Sequence, residues 1–146
     1  MITYKQTYYT KSAQDTQKVA MKIAANIKGG EALCLFGELG SGKTTFTRGF
    51  INYFKKNARV LSPTFIIVRH YRINHKLISG IIHADLYRME NINEISNLGL
   101  VDLLNKKSVL LVEWPEKLNT KHLKKRIDIK FNIVSDNERK IAIEHE

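Results

Sequence analysis

The sequence predicts a three-layer α/β fold, with a mixed sheet that is parallel at its centre and carries antiparallel hairpins at its sides. Three observations support this prediction. A glycine-rich loop joins a short apolar strand, 32–36, to a helix over 45–54. A second apolar run, 108–112, has the composition of a strand buried on both faces. Alternating apolar and polar residues outside these elements predict paired antiparallel strands.

The first half of the chain begins with an edge strand over 2–10, where tyrosines alternate with polar residues. Ser12 is the expected N-cap of a helix whose apolar residues recur at helical spacing as far as Ile27. The glycines in 28–30 end that helix. The strand, the glycine-rich loop and the second helix follow.

The second half contains two predicted hairpins with the buried strand between them. The first hairpin pairs 65–73 with 77–86, and a short helix over 92–104 leads to the buried strand. The second hairpin pairs 126–134 with 140–145. In such a fold, a nucleotide binds at the carboxyl ends of the central strands.

Length and composition indicate a single globular domain over residues 1–146. Hydrophobic residues make up 43% of the chain and charged residues 26%, as is usual for soluble domains. No apolar run approaches the roughly 20 residues of a membrane span. The N-terminus lacks the layout of a signal peptide, so a cytoplasmic location is expected. Cys34 is the only cysteine, which excludes an internal disulfide, and we expect it in the core.

The formal net charge of +10 leaves two interpretations open. One is an acidic or nucleic-acid partner. The other is compositional drift, since lysine, isoleucine and asparagine are abundant and lysine outnumbers arginine. Neither interpretation excludes the other.

The segment 37–44, Gly-Glu-Leu-Gly-Ser-Gly-Lys-Thr, fits the phosphate-binding pattern G-x-x-x-x-G-K-[ST]. Its glycines let main-chain N–H groups close around a phosphate, and the following helix adds its positive end. Lys43 is placed to contact the β- and γ-phosphates, and the Thr44 hydroxyl to contact Mg²⁺. The nucleotide-binding residues predicted here are Glu38, Leu39, Gly40, Ser41, Gly42, Lys43, Thr44 and Thr45.

Three further side chains are candidates for chemistry. Glu113 ends the buried strand, where a P-loop enzyme carries its second metal-binding carboxylate, so Thr44 and Glu113 form the predicted metal site. Asp85 ends a hairpin strand and is a candidate to orient the attacking water or to support the metal. Lys43, Asp85 and Glu113 are the predicted catalytic residues. His83 shares a strand face with Asp85 and is more typical of a packed histidine.

Ser62-Pro-Thr-Phe65 places two hydroxyls beside a stiff proline, and Thr64 is included among the predicted nucleotide-binding residues. Such a hydroxyl orders a loop around the γ-phosphate in P-loop switches. A simple turn explains the same residues equally well. Asn105-Lys-Lys-Ser108 lacks the aspartate that reads guanine, which favours ATP over GTP.

Taken in order, these motifs resemble those of the TsaE (YjeE) family. The resemblance runs from Gly37–Phe50 through Ser62-Pro-Thr-Phe65 and His83-Ala-Asp-Leu-Tyr-Arg88, then through 97–102 to Val112-Glu-Trp-Pro-Glu116. It covers most of residues 30–116. The glycine-rich loop occurs in many families, whereas the ordered set is far more specific.

The resemblance implies a P-loop ATPase that uses Mg²⁺, held by Thr44 and Glu113, and that hydrolyses ATP weakly by itself. It also implies a switch-like loop at 62–65 and a role for Asp85 in turnover. The implied partners are the TsaD and TsaB proteins, whose complex threonylcarbamoylates adenosine 37 of tRNA, so that tRNA is reached only indirectly. ATP hydrolysis would reset that complex between cycles.

Two other functional classes remain as alternatives. A small P-loop kinase would act on a small molecule or nucleotide, but it needs an arginine-bearing lid, and no long insertion of that kind is evident. A non-hydrolysing nucleic-acid-binding module would use the positive charge but would not need Lys43, Thr44 and Glu113 at these positions.

Overall fold

A computed structural model describes residues 4–61 and 67–145, and within them seven strands form one sheet. The strand order across the sheet is β1-β7-β6-β2-β5-β4-β3. The strands are β1 (Tyr4–Thr10), β2 (Glu31–Phe36), β3 (Val68–Arg72), β4 (Gly80–Asp85), β5 (Ser108–Glu113), β6 (Lys125–Ile133) and β7 (Arg139–His145).

The centre of the sheet is parallel. Strand β2 pairs in parallel with both β5 and β6, and β4 pairs in parallel with β5. Antiparallel pairing then adds β7 and β1 on one side and β3 on the other. The predicted fold class, with a parallel centre and antiparallel hairpins, is therefore confirmed.

Helices cover both faces of the sheet and make the three layers. They are α1 (Ala13–Ala24), α2 (Lys43–Phe54), α3 (Ile92–Asn97) and α4 (Leu100–Leu103), and a 3₁₀ turn follows at Pro115–Lys117. Alternate residues of the central strands enter two separate cores. In β2, Leu33 and Leu35 pack with α1 and α2, whereas Ala32 and Cys34 pack with α3 and α4. Burial raises the pKa of the Cys34 thiol to about 12, as expected for a core cysteine.

Helix α1 begins as predicted and ends earlier than predicted. The Ser12 hydroxyl accepts the Asp15 N–H at 3.1 Å, which caps the helix. Apolar spacing predicts that the helix reaches Ile27, but it ends at Ala24. The side-chain amide of Asn26 donates to the Lys22 carbonyl, which the Asn26 N–H would use in a continuing helix. Local hydrogen bonding therefore overrides the apolar spacing.

The predicted helix over 92–104 is two short helices. Gly99 adopts a φ of 62° between α3 and α4, which breaks the helix. In the first hairpin, the predicted strand 65–73 corresponds to β3. Residues 65 and 66 of that prediction lie outside the described part of the chain.

Close packing of α1 against α2 fixes the position of the helix that follows the glycine-rich loop. A Cβ built on Gly49 would lie 2.6 Å from the Gln17 Cα and 2.7 Å from its carbonyl oxygen. Only a glycine permits this approach of two helix backbones.

Strand register brings the chemistry-bearing residues to one edge. Leu35 of β2 is opposite Glu113 of β5, and Glu113 is opposite Asp85 of β4. Because these three strands are parallel, their carboxyl ends meet where the glycine-rich loop begins.

Candidate functional site

The glycine-rich loop runs from the end of β2 to the start of α2. Gly42 has a φ of 107°, a conformation that favours glycine, and its carbonyl accepts the first helical hydrogen bond from the Phe46 N–H at 2.9 Å. A Cβ on Gly37 would lie 2.5 Å from the Ser41 hydroxyl oxygen. The loop thus needs its glycines for backbone shape, as the phosphate-binding pattern requires.

Lys43 is the first residue of α2, directly after this loop, and 5% of its surface is exposed. Its Nζ donates to the carbonyl oxygens of Gly37 at 2.6 Å and Glu38 at 2.8 Å. The same ammonium lies 4.8 Å from the ring centroid of Trp114. Burial lowers the pKa of Lys43, while the Glu113 carboxylate acts in the opposite direction. The cation is therefore oriented before any ligand arrives.

Thr44 and Glu113, predicted to share a metal ion, are in direct contact. The Thr44 hydroxyl donates to the Glu113 Oε1 at 3.1 Å, and its distance to Oε2 is 3.4 Å. These residues are 69 positions apart in the sequence. The contact depends on β5 lying beside β2, because that pairing sets the Glu113 carboxylate against the first turn of α2.

His83 belongs to this cluster, although its residue type and position in the chain favour an ordinary packed histidine. It is fully buried, and its Nε2 lies 2.7 Å from the Glu113 Oε2. Its Nδ1 has no hydrogen-bond partner within residues 4–61 and 67–145. The signal that could have identified it is the register of β4 against β5, which the sequence does not state.

Asp85 lies at the same edge but outside the contact between Thr44 and Glu113. Its Oδ1 accepts the Tyr87 N–H at 3.0 Å. Burial raises the pKa of Asp85, and the charge of Glu113 raises it further, while the Tyr87 N–H lowers it. The two candidate carboxylates thus have different environments.

These side chains line a cavity of about 590 Å³ at the carboxyl edge of the sheet. Leu39, Gly40, Gly42, Lys43, Thr44, Thr45, Asp85 and Glu113 all line it. Of the other predicted residues, Glu38 contributes its carbonyl to Lys43, and Ser41 is a buried residue of the loop itself. Thr64 lies outside the described residues.

Sequence reasoning missed two parts of the cavity lining: the start of α1, with Ser12, Ala13 and Thr16, and the C-terminal hairpin. Asp136 and Asn137, from the turn between β6 and β7, also line it, as does Arg139, the first residue of β7. An Arg139 Nη donates to the Gly40 carbonyl at 3.2 Å. The sequence of this segment is typical of an ordinary turn. It reaches the site because β6 is a parallel neighbour of β2, so that its carboxyl end falls at the same edge.

A family model described as "Threonylcarbamoyl adenosine biosynthesis protein TsaE" matches residues 10–141 of this chain. The chain belongs to the TsaE family. This family acts in the biosynthesis of threonylcarbamoyladenosine in tRNA. The expected family membership is therefore confirmed.

Individual TsaE proteins match across most of their length. The chain is 36% identical to TsaE of Bacillus subtilis over 133 residues, covering 91% of this chain and 81% of that protein. It is 37% identical to TsaE of Aquifex aeolicus, covering 90% of each chain. A solved structure of Bacillus subtilis YdiB matches with a TM-score of 0.73 and 28% identity, covering 99% of this chain and 88% of that one. The fold is accordingly that of P-loop NTPases.

The donor set of this TsaE-family chain suits a magnesium nucleotide. Mg²⁺ in phosphate-binding enzymes takes one or two protein oxygens and completes its shell with phosphate and water. Thr44 and Glu113 provide such oxygens side by side. Within the described ranges, no cluster of three histidine, cysteine or acidic residues forms a complete protein cage for a metal. The oxygen pair therefore fits Mg²⁺ better than it fits a structural zinc ion.

The raised pKa of Asp85 predicts a pH-dependent effect on stability in this TsaE-family chain. The folded state binds the Asp85 proton more tightly than the unfolded chain does, so the ionised carboxylate costs stability at neutral pH. Asp85→Asn keeps an acceptor for the Tyr87 N–H. We expect it to raise the free energy of unfolding at pH 7, with the gain disappearing as the pH falls through the folded pKa of Asp85. Urea denaturation at neutral and acidic pH measures this difference.

The matched control for that experiment is Asp102→Asn, because Asp102 is exposed in α4. It should give no gain at either pH. A lower stability of Asp85→Asn at pH 7 would show that the Asp85 charge is compensated in the folded protein.

Proposed function

We propose that this protein is a Mg²⁺-dependent ATPase, built as one P-loop domain over residues 1–146, that supports threonylcarbamoylation of adenosine 37 in tRNA. It would act with the TsaD and TsaB proteins in the cytoplasm and reach tRNA through their complex. The single observation that carries the proposal is the pairing of Thr44 with Glu113 beside the buried Lys43.

The chemistry follows from what each side chain holds. Lys43 and the main-chain N–H groups of the loop would bind the phosphates. Because these donors are held in place, they would stabilise the negative charge of the phosphate oxygens. Thr44 and Glu113 would hold Mg²⁺, which would supply positive charge to offset the negative charge of the phosphates. The His83 Nε2, 2.7 Å from the Glu113 Oε2, holds the Glu113 carboxylate in position. Asp85 and Glu113 are the candidates to orient the attacking water.

The position of the segment 105–108 supports ATP rather than GTP as the nucleotide. The Ser108 hydroxyl accepts the Asn105 N–H at 2.9 Å, and the Asn105 Oδ1 accepts the Lys107 N–H at 2.8 Å. These bonds close a turn at the start of β5, the opposite end of that strand from Glu113. A motif that reads guanine would need to lie at the carboxyl end of β5, beside the proposed nucleotide site.

Hydrolysis is favoured over the alternative of a small-molecule kinase by the segment between β4 and β5. This segment, residues 86–107, contains one arginine, Arg88, which lines the cavity, and its helices are the two short ones, α3 and α4. A kinase lid in this position would need arginines to clamp the acceptor and the transferred phosphoryl group. No membrane role is proposed. None of the helices in the described ranges has the length and apolar character needed to cross a bilayer.

The test uses the purified chain with its cognate TsaB and TsaD proteins. We expect the three proteins to co-elute on a sizing column with ATP and Mg²⁺, and the ATP hydrolysis rate to rise roughly ten-fold over the chain alone. Glu113→Gln is the control, since it should join the complex without the rise in rate. Absence of a complex, or an unchanged rate within one, would refute the proposed partners.

A further inference from the structure

A second cavity of about 550 Å³ lies at the opposite end of the sheet from the glycine-rich loop. It is bordered by the last turn of α1, by the first residues of β2 and β6, and by β1 and β7. We call it the basic groove, and six of its lining residues carry the argument: Tyr4, Tyr8, Lys22, Lys28, Lys124 and Lys125. None of these six residues lines the cavity at the carboxyl edge of the sheet that contains Lys43 and Glu113.

The basic groove has a strong positive charge. Lys22, Lys28, Lys124 and Lys125 are all exposed. Among the described residues, the one acidic side chain in the lining is Glu31, which is 8% exposed and accepts the N–H groups of Lys28 and Gly29 at 2.7 Å each. Glu31 contributes one negative charge, so the four lysines leave the lining with a net positive charge. Such a surface attracts a polyanion.

Aromatic rings lie among these lysines. Tyr4 is 45% exposed and packs on His145, with ring centroids 4.8 Å apart and planes 32° from each other. Lys22 holds its Nζ 5.5 Å from the ring centroid of Tyr8. Packing on His145 fixes the Tyr4 ring, and its exposed part remains available to a flat ligand.

We infer that the basic groove binds a segment of single-stranded nucleic acid. Lysines neutralise the phosphates, and bases stack on the exposed tyrosine, which is how proteins bind single strands without reading their sequence. An acidic peptide would use the lysines but would gain little from the Tyr4 ring. The inference gives a role to part of the positive charge of the chain and is independent of the proposed ATP hydrolysis.

The test measures binding of a fluorescein-labelled ten-residue oligouridylate by fluorescence anisotropy, with full-length chain and no ATP. We expect a dissociation constant of roughly 1 to 100 µM, weakening steeply with salt. Tyr4→Ala should weaken binding about five-fold or more, whereas Tyr4→Phe should retain it. Tyr9→Ala is the matched control, because Tyr9 is 70% exposed on the same strand and does not line the groove.

Charge is tested separately with paired double variants. Lys28→Gln with Lys124→Gln should lower the slope of log affinity against log salt concentration by about 1.4, or about 0.7 for each lost phosphate contact. Lys18→Gln with Lys140→Gln removes the same charge from exposed positions outside the groove and should leave most of that slope.

Three outcomes would overturn the inference. The oligouridylate could fail to bind, or the groove variants could bind as tightly as their controls. A ten-residue polyglutamate could also displace the probe as well as unlabelled oligouridylate does, with Tyr4→Ala unaffected, which would identify an acidic-peptide site instead. Circular dichroism of each variant confirms that it is folded before binding is measured.

Discussion

Lys43→Met is expected to weaken ATP binding about 10- to 100-fold, the effect of losing charged hydrogen bonds to phosphate. The Lys43 Nζ is already oriented by the carbonyl oxygens of Gly37 and Glu38. The Lys43 side chain therefore loses little further conformational entropy when a phosphate binds. Methionine keeps the length of the side chain and its contact with the loop but supplies no charge. Isothermal titration calorimetry with ATP and Mg²⁺ measures the change.

The matched control is Lys18→Met, an exposed lysine on α1 outside the cavity. It should bind ATP like the unchanged chain. Thermal unfolding of the nucleotide-free proteins separates a binding defect from loss of the loop bonds that Lys43 makes. If Lys43→Met binds ATP within two-fold of the affinity of the unchanged chain, the glycine-rich loop does not bind phosphate as proposed.

Glu113→Gln is expected to lower the turnover number for ATP about 100-fold or more. Glutamine has the length of glutamate, so it can still accept from the Thr44 hydroxyl and face His83. It lacks the negative charge that would bind Mg²⁺ and act on the attacking water. The defect should therefore appear in kcat and in the magnesium dependence more than in folding. Phosphate release at saturating ATP, measured across a Mg²⁺ titration, tests this.

Glu90→Gln serves as the control, because Glu90 is exposed and does not line the cavity. Asp85→Asn in the same assay indicates which carboxylate handles the water. If Asp85→Asn loses kcat with unchanged magnesium dependence, Asp85 is the water-orienting group. Full turnover by Glu113→Gln would place the metal elsewhere.

The parts of this protein that follow from sequence are those whose signal is local. The glycine-rich loop has fixed spacing over eight residues, and Glu113 directly follows an apolar run, so both can be located from the order of residues alone. The parallel centre follows from the same two apolar strands. Helix lengths follow less well, because Asn26 and Gly99 end helices through local bonds and backbone angles that apolar spacing does not encode.

The rest of the site depends on strand order, which the sequence does not state. His83 contacts Glu113 only because β4 and β5 are neighbours in a particular register. Arg139 reaches Gly40 only because the C-terminal hairpin inserts its first strand beside β2. Residues 99 positions apart carry no local signal of that contact.

Trp114 is the only tryptophan in the chain, and its ring lies over the Lys43 ammonium. Indole emission responds to a nearby charge, and a phosphate bound by Lys43 would change the field that the ring senses. Trp114 is therefore an intrinsic fluorescence probe beside the glycine-rich loop. Intrinsic fluorescence can therefore test the proposed binding of nucleotide at the loop, with no label and no second tryptophan to contribute emission.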